Sequence, residues 1–117
     1  MPKPFSEQLR PLALAFPGAF EDYPFGDGET VYKAANGKMF AMCPADHEAP
    51  FSVTLKLTPE EAEAALTLPF VSPAPYLARY SWVAALVTSP VEFDITMEWV
   101  TRSHELVTTK ASKRKRT

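Results

Sequence analysis

Thr30-Val31-Tyr32-Lys33-Ala34-Ala35-Asn36-Gly37-Lys38-Met39-Phe40-Ala41-Met42-Cys43 is the stretch that decides the fold. Two strand-forming runs flank Asn36-Gly37, a dipeptide that supplies both positive φ angles of a two-residue type I′ turn. The reading is an antiparallel hairpin, Thr30 to Ala35 and Lys38 to Cys43. Simple pairing about that turn sets Lys33 opposite Phe40 and Ala35 opposite Lys38. Lys33, Lys38, Phe40 and Met42 then share one face.

Downstream, Phe51-Ser52-Val53-Thr54-Leu55-Lys56-Leu57 alternates apolar with polar at every step, as a half-buried strand does. Its inner face is Phe51, Val53, Leu55 and Leu57, and its outer face is Ser52, Thr54 and Lys56. Thr58-Pro59-Glu60-Glu61 opens a helix with a cap, a first-turn proline and a glutamate three residues after the cap. That helix should end near Leu66, before Pro69. Pro73 and Pro75 keep the next segment irregular or at a sheet edge, and Trp82 to Val87 reads as a buried strand. Ser89-Pro90-Val91-Glu92 repeats the capping logic ahead of a long last helix, which fades near Lys110. Val91, Ile95, Trp99 and Leu106, with Met97 and Val100, are the residues expected to cover the sheet.

Upstream, Ser6 to Phe16 reads as a helix with Leu9, Leu12, Ala13 and Phe16 on one face. Pro11 is tolerated only in a first turn, so regular structure is expected from about Gln8. Pro17-Gly18 ends it. From Phe20 to Glu29, Pro24, Gly26 and Gly28 predict an ordered aromatic loop without regular structure.

The predicted order is α-β-β-β-α-β(-β)-α. Short connections favour antiparallel pairing, which makes a two-layer α+β sandwich with the helices on one face of the sheet. A chain of 117 residues holds one core, so residues 1–109 read as a single domain and 110–117 as a basic C-terminal tail. Hydrophobic residues at 46% exceed what a disordered chain carries. No apolar run approaches the ~18 residues of a membrane span, and Met1-Pro2-Lys3-Pro4 lacks an apolar signal core. Cys43 is the only cysteine, which excludes an internal disulfide and a cysteine pair for zinc. A cytoplasmic location is expected, with no membrane partner.

The net charge of −2 conceals a division. Lys110, Lys113, Arg114, Lys115 and Arg116 are five of the twelve basic residues, so up to Thr109 seven bases face fourteen acids, a net −7. An acidic body with a cationic tail results, and such tails either contact phosphates and acidic surfaces or serve as solubilising ends.

Groups able to attack, exchange protons or hold a metal do not converge in the sequence. His47, in the Pro44 to Pro50 loop, and His104, on a helix flank, lack the paired spacing of zinc ligands. Cys43 reads as a buried structural thiol, and Glu60, Glu61 and Glu63 as capping and solvated residues. No glycine-rich phosphate loop exists. Neither catalytic residue, metal nor cofactor is expected.

Glu21-Asp22-Tyr23-Pro24-Phe25-Gly26, Val31-Tyr32-Lys33, Gly37-Lys38-Met39-Phe40-Ala41 and Ser52-Val53-Thr54-Leu55-Lys56 together resemble the MmcQ/YjbR family in order and spacing. Pro73-Ala74-Pro75-Tyr76, Trp82 and Ser103-His104-Glu105-Leu106-Val107 extend the likeness from about Leu9 to Lys110. Leu77-Ala78-Arg79-Tyr80 departs from it, standing where the family often carries a polar stretch. The resemblance implies an α+β fold likened to type III secretion chaperones and double-wing DNA-binding domains. It implies no established biochemical role.

Two functions compete. A DNA- or other nucleic-acid-binding module would use Lys33, Lys38, Lys56 and Arg79 around Phe40 on the open sheet face, together with the basic tail. A protein-interaction or small-ligand module would use the open face and the Tyr23, Pro24, Phe25 and Gly26 loop. The plain alternatives are a solvated lysine face and an aromatic loop that plugs the core.

Overall fold

The computed structural model describes residues 4–45, 50–74 and 77–109. Three helices and six strands follow in order: α1 (Phe5–Leu14), β1 (Phe20–Asp22), β2 (Glu29–Lys33), β3 (Met39–Pro44), β4 (Ser52–Lys56), α2 (Pro59–Ala65), β5 (Val71–Pro73), β6 (Trp82–Leu86) and α3 (Pro90–Thr108). A 3₁₀ turn, Ala78–Tyr80, precedes β6. The strands form one antiparallel sheet in the order β1-β2-β3-β4-β6-β5. The helices gather on one face, as the alternation of β4 requires. Val53, Leu55 and Leu57 enter the core with Leu9, Phe93 and Val100.

Pleat parity divides the sheet into two faces. Tyr32, Ala41, Leu55 and Val83, in register across β2, β3, β4 and β6, point to the helices. Asp22, Val31, Met42, Thr54, Ala84 and Ser72 form the next row, on the open face.

The hairpin exists, but its turn is not the two-residue type expected. Gly37 N donates to Ala34 O at 2.8 Å and Ala34 N to Lys38 O at 2.8 Å, which closes a three-residue loop over Ala35, Asn36 and Gly37. Gly37 alone takes the left-handed conformation, at φ +85°, as the closing residue of such loops does. Asn36 serves through its side chain instead. Its Oδ1 accepts from Lys38 N at 3.0 Å, and its Nδ2 donates to Val107 O at 3.0 Å, pinning the hairpin tip to the last turn of α3.

The register then slips. Tyr32 faces Ala41 and Lys33 faces Met39, so Phe40 is an extra residue, a β-bulge. This overturns the expectation that Lys38 and Phe40 share the open face with Lys33 and Met42: Met39 sits beside Lys33 instead, and neither Lys38 nor Phe40 has that parity. The bulge turns the Phe40 ring into the helix layer, where it is wholly buried. It also carries Phe40 O away from the ladder bond that Lys56 N would make to it next to the Ala41–Leu55 pair. Ser103 of α3 fills that gap. Its hydroxyl accepts from Lys56 N at 2.9 Å and donates to Phe40 O at 2.7 Å.

The buried stripe of α3 is Phe93, Thr96, Val100 and Ser103; of the residues expected to cover the sheet, Val100 is buried and Met97 and Trp99 pack against the core, whereas Val91 is 68% exposed. Two of the stripe's four members are polar, which disguised it. Thr96 Oγ1 donates back to Glu92 O at 2.8 Å and so enters the core satisfied. Ser89 caps α3 as expected, accepting from Glu92 N at 3.3 Å. The Glu92 carboxylate, however, reaches Thr88 N and Oγ1, one residue before the cap, rather than closing a box on Ser89. At α2 the expected reciprocal box between Thr58 and Glu61 is complete.

Two further boundaries move. Phe20–Asp22 is a short edge strand paired with β2, where a loop was expected. α1 begins at Phe5 and holds Pro11 in its interior. Stacking of Phe5 on Phe93 and Phe51, with centroids 5.2 and 6.0 Å apart, anchors the early start despite the missing proline N–H.

Ser103→Ala should leave the Phe40 carbonyl and the Lys56 amide without partners, at a cost of about 2–4 kcal/mol. A thermal melt should show a midpoint lower by roughly 10 °C. A midpoint within a degree or two of wild type would show that the bridge contributes nothing.

Candidate functional site

The open face carries a groove of about 670 Å³ at the end of the sheet remote from the hairpin tip. Met42 and Ala84 lie in its floor, flanked by Pro44 and Leu86, and Ser52, Thr54 and Ser72 add three hydroxyls. Glu29 stands at one margin and Phe25 at another. No lysine or arginine is among its described lining residues.

The loop that delivers Phe25 is tied down from the helix side. Gly26, at φ +98°, donates its N–H to Tyr23 O at 3.1 Å, closing a turn with Pro24 and Phe25 at its centre. Tyr23 OH donates to Glu21 Oε1 at 3.1 Å, and the guanidinium of Arg10 on α1 pairs with the same carboxylate. Donating that bond to a carboxylate raises the Tyr23 phenol above its ordinary value. The loop therefore does not plug the core. Phe25 is 67% exposed and overhangs the groove.

The expected cationic residues collect at the opposite end of the sheet. Lys33 ends β2, Lys38 follows the hairpin loop, Lys56 ends β4, and Arg79 lies in the turn before Trp82, the partner of Lys56. Lys33 Nζ is held by Asp22 Oδ2 at 2.6 Å, a bond that lowers the Asp22 carboxyl below its usual range. Lys56 Nζ donates to Tyr80 O at 3.3 Å, and the Arg79 guanidinium sits 5.3 Å from the Tyr80 ring centre. Phe40 is not with them. Lys110, Lys113, Arg114, Lys115, Arg116 and His47 lie outside the described residues.

Among the described residues no group of three or more His, Cys, Asp or Glu side chains could hold a metal ion. Cys43 is buried, and burial first, with the charges of Glu29 and Glu21 behind it, pushes its thiol up to about 12. It is a thiol, not a thiolate, at neutral pH. His104, on the flank of α3, is half-buried. Its ring stacks on Phe16 at 4.0 Å and meets Phe40 edge-on at 5.0 Å, a cluster that sequence spacing did not reveal because its members come from three separate segments. Burial lowers its pKa, partly opposed by Glu105.

A two-layer α+β sandwich with an open, grooved sheet face and no cluster of metal-ligating side chains among its described residues is the class of protein that the geometry defines. The chain belongs to the YjbR family, whose family model matches residues 14–106. No curated protein sequence matches it. A Deinococcus radiodurans protein with a DUF419 domain is similar in structure, with a TM-score of 0.81 and 24% identity over 95% of this chain and 85% of that one. A Pseudomonas syringae protein aligns with a TM-score of 0.67 and 17% identity over 86% of this chain and 96% of that one. At such identities these two likenesses speak for the fold alone. No described helix is long and apolar enough to cross a membrane.

The depressed His104 pKa has a consequence for stability. The folded state resists protonation at this ring, so stability is full above the ordinary imidazole value of 6.5 and declines as pH falls through it toward the lower folded value. Urea titrations between about pH 7.5 and 5 should show that decline in wild type and a flatter profile in His104→Phe. Equal slopes in the two proteins would mean that another group carries the dependence.

Proposed function

We propose that this domain is a non-enzymatic binding module that holds a small, largely apolar molecule on its open sheet face. The observation that carries the proposal is the groove of about 670 Å³, within the size range of small-ligand sites and lined mostly by apolar side chains. A peptide added as an extra strand fits less well. Both edge strands, β1 and β5, are three residues long, and Pro73 in β5 has no N–H to offer.

The test is a titration with Nile red, an uncharged dye that brightens in apolar sites. Wild type should bind one equivalent, and Ala84→Trp, which fills the floor, should lose at least about tenfold in affinity with its far-ultraviolet circular dichroism unchanged. Absence of a saturable signal, or equal binding by the filled variant, would end this reading.

Nucleic-acid binding is the second reading, favoured by one specific observation. Lys33, Lys38, Lys56 and Arg79 share one end of the sheet, the end at which Asn36 holds the last turn of α3. The basic run of the sequence begins one residue beyond Thr109. Against it stand the engagement of Lys33 by Asp22, the burial of Phe40 and the acidic balance of the body. Fluorescence anisotropy with labelled single-stranded and duplex DNA separates the two readings. Binding here should weaken with salt, and Lys38→Ala and Lys56→Ala should each flatten the log–log salt slope by about one. No binding at low salt would remove this second reading and leave the groove untouched.

A further inference from the structure

Resting on the ligand-groove reading, we infer that the groove takes an amphipathic cation: an apolar chain bearing an ammonium or similar positive group, which docks on Glu29. Three observations converge on that chemistry. The first is the state of Glu29, whose carboxylate has no hydrogen-bond or ion-pair partner among the described residues, although it opens β2 on the open face and lines the groove. Ion pairs of other described side chains lie elsewhere: Arg10 with Glu21, Lys33 with Asp22, and Arg102 with Glu61 and Glu105.

The second observation is the layout of the groove. Glu29 faces Pro44, and Ser52 faces Leu86, across β2, β3, β4 and β6. Met42 and Thr54 are paired one row inward, which brings Pro44 beside Ser52. Glu29, Pro44, Ser52 and Leu86 therefore form a row across four neighbouring strands, about 14 Å long at the usual strand spacing. The row is anionic at one end, apolar at the other, and offers a hydroxyl between. Leu86 is 43% exposed, so its end is available to a ligand. A molecule that is charged at one end and apolar for about ten ångströms matches this order.

The third observation is what the groove lacks. With no lysine or arginine among the described residues of its lining, an anionic head group would meet Glu29 with no described cation beside it to offset the repulsion. A cation is attracted, and the acidic body around it, seven bases against fourteen acids up to Thr109, adds to the attraction. Ser52, Thr54 and Ser72 are hydroxyls without a side-chain hydrogen-bond partner among the described residues, and each can accept from an ammonium N–H.

Displacement of bound Nile red by octylammonium, octanol and octanoate, all of one chain length, reads the head-group preference directly. Octylammonium should compete about fivefold better than octanol, the margin of a partly exposed ion pair, and octanoate worse than either. In Glu29→Gln the ratio of octylammonium to octanol should fall to about one, whereas Glu60→Gln, which removes an acid from α2 on the other layer, should keep it. Raising the salt concentration should shrink the ratio in wild type. If wild type binds Nile red but does not prefer octylammonium, this inference fails and the groove reading survives. If Glu60→Gln erases the preference as fully as Glu29→Gln, the preference belongs to net charge and the assignment to Glu29 fails. If wild type does not bind Nile red, both fall together.

Discussion

The hydroxyl of Ser103 joins the two layers of this domain. It stands between Phe40 O on β3 and Lys56 N on β4, at the point where the bulge has pulled the two strands apart. A buried amide and a buried carbonyl left open would each cost on the order of 1–3 kcal/mol, so the bulge is tolerable only because α3 brings a donor and acceptor to it. Ser103 is itself wholly buried and lies on the same helix stripe as Phe93, Thr96 and Val100. The docking of α3 and the geometry of the central strands are thus one constraint rather than two.

From that constraint the character of the open face follows. The bulge moves Phe40 into the helix layer, where it meets Phe16 and His104, and so takes that ring away from the lysines at the hairpin end. The open face then falls into two regions. At one end Lys33 and Lys56 lie on it, engaged by Asp22 and by the Tyr80 carbonyl, with Arg79 in the adjoining turn; Lys38, next to the Met39 that faces Lys33, has the opposite parity. The other end is an apolar groove with one carboxylate, Glu29, among its described lining residues, overhung by Phe25 on a turn that Glu21 and Arg10 hold from the far side of the sheet. The exposed ion pairs, screened by solvent, contribute little stability and matter more for where they leave charge unbalanced.

The sequence by itself determined the element order apart from the edge strand β1, the hairpin, the inner face of β4, the caps of α2 and α3 and the two-layer arrangement. Each rests on a signal that is local or strictly periodic: Asn36-Gly37, the alternation from Phe51 to Leu57, Thr58 with Glu61, Ser89 before Pro90. It also pointed to Phe25 and its neighbours as a loop worth attention and to the separation of basic tail from acidic body. Tertiary structure alone decided the turn type, the slip at Phe40, the buried stripe of α3 and the partners of His104. The physical reason is the same in each case. A one-residue bulge changes which side of a sheet a side chain occupies without leaving any mark in local hydrophobicity, and Ser103 and Thr96 read as surface residues until the groups that satisfy their hydroxyls are in place. Glu29 is the converse, a residue that looks like any solvated strand end until three neighbouring strands lay an apolar groove beside it.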